Sequence, residues 1–182
     1  MARYEIDRSH TTLGFTAKHM MFTTVRGSFQ EFEGGVEVEG DDYTKATGRV
    51  VIQVESVNTG DAKRDGHLRS GDFFDSAAYP TLTFVPTAIA GKGSDRYVVT
   101  GDLTIRDVTK PIELDVTVEG RIAKDRFGKE RIAVSATGKI NRKEWGLNWN
   151  MALEAGGLLV SEDIKLEIDA AFVADALVTA TA

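Results

Sequence analysis

The side chains best suited to chemistry are concentrated in one charged segment, residues 59–84, between two stretches rich in β-branched and aromatic residues. Part of this segment matches the twelve-residue calcium loop of an EF-hand, because Asp61, Asp65 and Asp72 take loop positions 1, 5 and 12. However, Lys63 occupies position 3, where an oxygen ligand is needed, and neither flank has the pattern of a helix. The sequence therefore does not predict a calcium site.

The histidines are the other candidates for chemistry. There are three, His10, His19 and His67, so a three-histidine metal site would need all of them, and the absence of cysteine excludes thiolate ligands and a thiol nucleophile. Asp65 and His67 suggest an acid/base pair, but residues two apart on a helix do not face each other. The chain also has no serine-nucleophile motif, glycine-rich phosphate loop or HExxH motif. We therefore expect no enzyme, metal or cofactor. An enzyme would require a polar cluster formed in space by His10, His19, Asp61, Asp65 and His67.

Composition and charge narrow the class of protein. The 182 residues include 22 Lys plus Arg and 28 Asp plus Glu, so the net charge is −6 and no basic block can follow a phosphate backbone. We therefore expect no nucleic-acid partner. No apolar run approaches the roughly 18 residues that span a bilayer. The first ten residues lack the apolar stretch of a signal peptide, which favours a cytoplasmic location. The length favours one domain, residues 1–175, with a frayed tail over 176–182.

Hydrophobic periodicity predicts an all-β fold. Apolar and polar residues alternate along 112–122, 96–106 and 164–172, and weaker alternation marks five further stretches. About eight strands result, and the glycines between them are typical of the turns of an antiparallel meander. Such a sheet leaves two exposed edges unless it closes, which favours an up-and-down, lipocalin-like barrel over a two-sheet sandwich.

The charged segment interrupts this pattern of strands. Its part GDAKRDGHLRS can form a short helix that is capped by Thr59 or Asp61. Leu68, Phe73 and Phe74 would give the helix an apolar side, which could plug one opening of the barrel. The inner volume of an eight-stranded barrel is either filled by side chains or holds one small ligand.

Four segments in this order resemble the YceI-like family: DRSHTTLGFTAKHMMFTTVRGSFQEFEG, VNTGDAKRDGHLRSGDFFDSAAYPTLTF, VTGDLTIRDVTKPIELDV and NRKEWGLNWN. The resemblance covers about residues 3–173, and its most specific part is RDGHLRSGDFFD followed by YPTLTF. It implies a lipocalin-like β-barrel that binds polyisoprenoid lipids or similar long amphiphiles.

The candidate binding residues lie on the inner faces of the predicted strands and on the plug helix. By alternation His19 shares the face of Phe15, which leaves two interpretations, a hydrogen-bonded core histidine or the polar end of a ligand tunnel. Arg64 either pairs locally on the helix or meets a diphosphate headgroup. We expect a headgroup end at His19, Arg64 and His67. The expected apolar lining consists of Phe15, Phe29, Ile52, Val54, Leu68, Phe74, Phe84, Leu103, Ile105, Leu114, Val116 and Trp149.

The resemblance implies non-covalent binding, sequestration or transport of a long-chain isoprenoid, such as a polyprenyl diphosphate or an isoprenoid quinone. Two alternatives stay open at this point: a lipid-modifying enzyme with a polar cluster around His19 and His67, and a structural or stress-related interaction protein with a filled core. An exposed apolar mouth would also favour a homodimer.

Overall fold

The computed structural model describes residues 1–154 and 156–177, and within these it contains eleven strands and one α-helix. The strands are β1 (Ala2–Ile6), β2 (Thr12–His19), β3 (Thr23–Phe29), β4 (Phe32–Glu39), β5 (Asp42–Gln53), β6 (Val57–Asn58), β7 (Thr81–Gly91), β8 (Arg96–Ile105), β9 (Val108–Ile122), β10 (Lys129–Asn141) and β11 (Asp163–Leu177). The helix α1 is Ala62–Arg69, between β6 and β7. Short 3₁₀ helices lie at Arg8–His10, Val54–Ser56 and Arg142–Trp145.

All strands belong to one antiparallel sheet, which closes on itself. The strand order is β1, β4, β5, β7, β8, β9, β10, β11, β2, β3, β6, and β1 also pairs with β11. The pairs β1 and β2, β3 and β4, and β5 and β6 are each two halves of one bent strand, separated by a few residues. Counted in this way, eight strands run up and down around a closed barrel. The predicted barrel is therefore confirmed, and the two-sheet sandwich is not adopted.

The closure depends on the bend between β1 and β2. One half of β11 pairs with β2, from Lys165↔Thr16 to Asp169↔Thr12, and the other half pairs with β1, from Phe172↔Ile6 to Ala174↔Tyr4. At the bend, Asp7 accepts hydrogen bonds from the Ser9 N–H at 3.1 Å and the Ser9 hydroxyl at 2.7 Å. This cap allows the first strand to turn without leaving its partner. At the other terminus Ala176 and Leu177 still belong to β11, and the rest of the predicted tail, 178–182, lies outside the described residues.

The predicted plug helix forms, and its acidic residues have structural roles. Asp61 is the N-cap, because its Oδ1 accepts a hydrogen bond from the Arg64 N–H at 2.9 Å. Asp65 is buried and accepts from both the N–H and the hydroxyl of Thr59, at 2.9 and 2.6 Å. Two of the aspartates that resembled part of a calcium loop therefore cap the helix and bind it to Thr59, which precedes it.

Two arginines brace the barrel end opposite α1. Arg131 donates from Nε to Asp125 at 2.6 Å and from Nη1 to Asp7 at 2.8 Å, so it joins the β9–β10 loop to the β1–β2 bend. Arg121 contacts Asp41 and Glu130, and Glu130 also accepts from the Tyr4 hydroxyl at 2.7 Å. The Asp125 carboxylate also receives N–H groups of its own loop. The hydrogen bond from Arg131 and these backbone bonds lower the pKa of Asp125 from 3.8 to about 2.

This bracing predicts a loss of stability in acid. Because the folded-state pKa of Asp125 is depressed, its contribution is fully present above about pH 4 and is lost as the pH falls toward about 2. Asp125→Asn should therefore lower the unfolding free energy near neutral pH and make its decline in this window shallower. Urea unfolding at several pH values measures both effects. Asp107→Asn, at an exposed turn residue, is the control and should leave the profile unchanged. Identical acid profiles for Asp125→Asn and the parent protein would contradict the prediction.

Candidate functional site

The barrel encloses a cavity of about 800 Å³ whose wall is almost entirely apolar. Its lining includes side chains from each of the eight barrel strands and from α1. Several lining residues at the α1 end are also exposed on the protein surface, namely Lys18, Asp61, Lys63 and Arg64. The cavity therefore opens to solvent at this end, and we call this opening the mouth.

Nearly all of the expected site residues lie on this cavity. His19, Arg64 and His67 line it at the mouth. The apolar side chains that line it as expected are Phe15, Phe29, Ile52, Leu68, Phe74, Phe84, Leu103, Ile105, Leu114, Val116 and Trp149. Their contact with a ligand stays a prediction.

Val54 is the exception among the expected lining residues. Alternation along β5 assigns it to the inner face, but β5 ends at Gln53 and Val54 begins a 3₁₀ turn. Its side chain is 1% exposed and packs in the core with Val57, and neither residue lines the cavity. The alternation rule fails here because it holds only while the strand remains extended.

Glycines help to keep the interior open. Gly27 of β3 lies opposite Phe15 of β2, and a Cβ at Gly27 would overlap the Phe15 ring. In the same way, a Cβ at Gly101 would overlap the ring of Phe84. Both rings therefore lie against the wall at places where it has no side chain, instead of filling the space between the strands.

The mouth carries an aromatic cluster around His67. Its ring packs edge-on against Trp149 at 4.5 Å and Phe73 at 5.0 Å between centroids. His67 Nε2 lies 2.9 Å from an Asp72 carboxylate oxygen, so its acidic partner is Asp72, while Asp65 is bonded to Thr59. Asp65 and His67 thus do not form an acid/base pair.

Arg142 is a buried cation in the lining that the sequence reasoning missed. Its residue is 5% exposed, and its guanidinium donates to the carbonyl oxygens of Leu147 at 2.6 Å, Ser161 at 2.9 Å and Val160 at 3.4 Å. Among the described residues no carboxylate forms an ion pair with it. Burial lowers the pKa of Arg142 from its ordinary value, yet an arginine side chain keeps its charge near neutral pH. No local sequence signal distinguishes Arg142 from neighbouring cations.

The charged lining is strongly asymmetric. Among the described residues it contains one acid, Asp61, which caps the helix, and the cations Lys18, Lys63, Arg64 and Arg142 at the α1 end; Arg49 is exposed further along β5 and does not belong to the mouth. This excess is notable on a chain of net charge −6. The mouth is therefore complementary to an anionic group, while the wall below it is complementary to a hydrocarbon chain.

The polar residues that an enzyme would need are not gathered into one cluster. His10 does not line the cavity, and its Nδ1 lies 2.9 Å from Asp7. Within residues 1–154 and 156–177, no group of three or more His, Asp or Glu side chains is arranged to hold a metal ion. His19, Asp61 and His67 line the mouth, but Asp61 caps the helix and Asp65 remains bonded to Thr59.

Comparison with known proteins identifies the family. The model of the YceI-like domain matches residues 4–172. This chain belongs to the YceI-like family. A UPF0312 protein of Staphylococcus aureus (strain USA300) is 37% identical over 172 residues, which cover 94% of this chain and 98% of the relative.

Two solved structures have the same fold. The Campylobacter jejuni YceI protein superposes with a TM-score of 0.73 at 31% identity and covers 85% of this chain and 87% of its own. A polyisoprenoid-binding domain from Saccharophagus degradans superposes with a TM-score of 0.68 at 20% identity and covers 94% and 98% of the two chains. Over the described part of this chain, α1 is far too short and polar to cross a membrane, and no other helix could do so.

Alanine substitutions at two glycines test whether the cavity is empty. In Gly27→Ala the new methyl group displaces the Phe15 ring, which can swing into the cavity, so the free energy of unfolding should fall by less than about 1 kcal/mol. In Gly35→Ala the methyl group meets the Tyr4 carbonyl oxygen of the neighbouring strand, which cannot move away. That variant should lose about 1–3 kcal/mol or more. Chemical denaturation of delipidated protein measures both, and equally large losses would argue for a filled interior.

Proposed function

We propose that this YceI-family protein binds and carries a long-chain isoprenoid lipid inside its barrel. The observation that carries the proposal is the apolar cavity of about 800 Å³ that opens at a cationic mouth. Its volume lies within the range of about 300–1,000 Å³ typical of small-molecule sites. The polyisoprenoid-binding domain from Saccharophagus degradans shares the fold, which supports this class of ligand.

Burial of the chain would supply the binding free energy. Enclosing about 500 Å² of apolar ligand surface at roughly 25 cal/mol per Å² contributes on the order of 12 kcal/mol before costs. Association costs about 4–15 kcal/mol, so useful affinity requires a cavity that exists before the ligand arrives. The glycine-backed rings of Phe15 and Phe84 support such preorganisation, because they leave the volume open without ligand.

The headgroup would lie at the mouth. A polyprenyl diphosphate places its charge near Arg64 and Lys63 while its chain extends along the wall. An isoprenoid quinone also fits the apolar wall, but it does not use the excess of cations. We therefore favour the diphosphate, since bonds between guanidinium and phosphate are among the stronger hydrogen bonds in proteins.

The proposed action is sequestration or transport without catalysis. Arg64 is already held by Thr59, to which its Nε and Nη2 both donate at 2.7 Å, so it would meet a ligand with a preset orientation. A filled-core interaction protein would lack the enclosed volume, and no observation favours the lipid-modifying enzyme. A cytoplasmic location, the absence of a nucleic-acid partner and a homodimer stay predictions.

The proposal predicts that protein purified without detergent carries lipid, because an apolar cavity open at one end is readily occupied. Organic extraction followed by mass spectrometry should recover a long-chain amphiphile in an amount comparable to that of the protein. The polyprenyl and quinone classes are distinguished by their masses. Absence of lipid in repeated preparations, together with no uptake of added polyprenyl diphosphate or quinone, would reject the proposal.

Blocking the cavity should reduce lipid uptake. Val116 lines the cavity and Thr117 follows it on the opposite face of β9. Val116→Trp should lower uptake of a polyprenyl diphosphate by about tenfold or more, because the loss of one apolar side-chain contact with the ligand costs roughly that much affinity. Thr117→Trp is the control and should leave uptake nearly unchanged. Stability should be measured on delipidated protein, because bound lipid raises it. If both variants took up as much lipid as the parent protein, the isoprenoid chain would not reach this depth of the cavity.

A further inference from the structure

An exposed apolar surface lies beside the mouth and is not used by the cavity. It has two parts, the turn between β2 and β3 and the segment between Arg142–Trp145 and β11. Phe22 is 87% exposed, Met20 and Met21 are about half exposed, and Met151 and Leu158 are also exposed. We call these five residues the apolar rim.

The two parts of the apolar rim form one continuous surface. The Met20 N–H donates to the Leu159 carbonyl at 2.8 Å, and His19 is bridged to Val160. The Met21 side chain packs directly against Gly157, which has no side chain to hinder it. His19, Leu159 and Val160 also line the cavity, so the apolar rim continues directly into the mouth.

The backbone conformation of the turn between β2 and β3 is unfavourable for the side chains that it carries. Met20 and Met21 have φ values of 51° and 69°, and the Phe22 N–H bonds to the His19 carbonyl at 3.3 Å. Two successive positive φ angles in a hairpin turn normally select Asn and Gly, because other side chains are strained there. Two methionines in this conformation destabilise the turn, and the phenylalanine that follows them is 87% exposed and buries little apolar surface in return.

We propose that the apolar rim inserts into the surface of a lipid bilayer and brings the mouth to the membrane, from which the isoprenoid enters the cavity. Lys18 lies next to the last residue of β2, and Lys63 and Arg64 lie at the mouth, so cations flank the inserted side chains. This charge is complementary to anionic headgroups, although the exposed Glu154 and the net charge of −6 oppose attraction at long range. Methionine and phenylalanine suit a fluid hydrocarbon layer, because they need no complementary shape. The inference rests on the proposed function, since contact with a membrane delivers lipid only if the cavity binds it.

Vesicle binding tests the apolar rim by itself. The probes are vesicles of phosphatidylcholine, with and without added phosphatidylglycerol, and flotation measures the bound protein. Phe22→Ser should weaken binding by on the order of tenfold. Phe127→Ser is the matched control, because Phe127 is 62% exposed in the β9–β10 loop at the other end of the barrel, and it should bind as the parent does. Unchanged binding for Phe22→Ser, or an equal loss for Phe127→Ser, would overturn the proposal.

The strained turn provides a second variant whose folding is not in question. Met20→Asn combined with Met21→Gly should raise the free energy of unfolding, because these residues suit positive φ, and should weaken vesicle binding. A structural role would instead make both changes destabilising. Sedimentation measures the competing self-association: a dimer that dissociates in Phe22→Ser while vesicle binding persists would identify the apolar rim as an interface between copies and overturn the membrane assignment.

Transfer experiments separate this inference from the proposed function. Polyprenyl diphosphate is offered either from vesicles or dispersed in detergent below its micelle concentration. Phe22→Ser should slow uptake from vesicles by about tenfold and leave uptake from the dispersed lipid unchanged. Equal rates from vesicles for Phe22→Ser and the parent would overturn the membrane step alone. If the parent takes up lipid by neither route, the proposed function fails, and the outcome for the apolar rim is then read from flotation.

Discussion

The structure depends on the pairing of the last strand with the two halves of the first. Without it, the sheet would have two long free edges whose N–H and C=O groups lack partners. With it, each of the eight barrel strands of the described residues has a neighbour on each side for at least part of its length, and one face of each points into a closed space. The bend at Asp7 is essential to this closure, because it lets β11 pair with β2 at one end and β1 at the other.

Closure alone does not decide whether the enclosed space is filled. In an eight-stranded barrel the interior is just wide enough for side chains to meet, and a small ligand fits only if some positions carry less volume. Here Gly27 and Gly101 supply such positions, and the large rings beside them lie against the wall. Other large side chains lie outside the cavity and are packed in the core. Trp145, whose indole N–H donates to the Leu103 carbonyl at 2.9 Å, is fully buried near α1, and Tyr4 is buried at the opposite end.

The charges of the α1 end follow from the same arrangement. Asp61, Asp65 and Asp72 are bonded to the helix N-terminus, Thr59 and His67, respectively, so the acids of this segment are occupied by local partners. Arg142 is held by three carbonyl oxygens and keeps two N–H donors beyond them. An acidic protein thereby presents an opening whose charged lining is mainly cationic, because most acids of this segment point to local partners rather than into the cavity.

The sequence by itself determined the strands, the barrel and most of the apolar wall, because alternation with period two is a local property that persists while a strand stays extended. It also predicted the plug helix with Thr59 or Asp61 as its cap, and the structure shows that Asp61 is the cap. Only the tertiary structure decided three other features. Val54 lies outside the wall because the chain turns after Gln53. Arg142 lies at the cavity because carbonyl oxygens of the segment that follows it hold its guanidinium there. The apolar rim joined Phe22 to Leu158 because β2 ends beside that same segment. Each depends on a turn of the chain or on a contact between a strand and a loop, which local alternation does not encode.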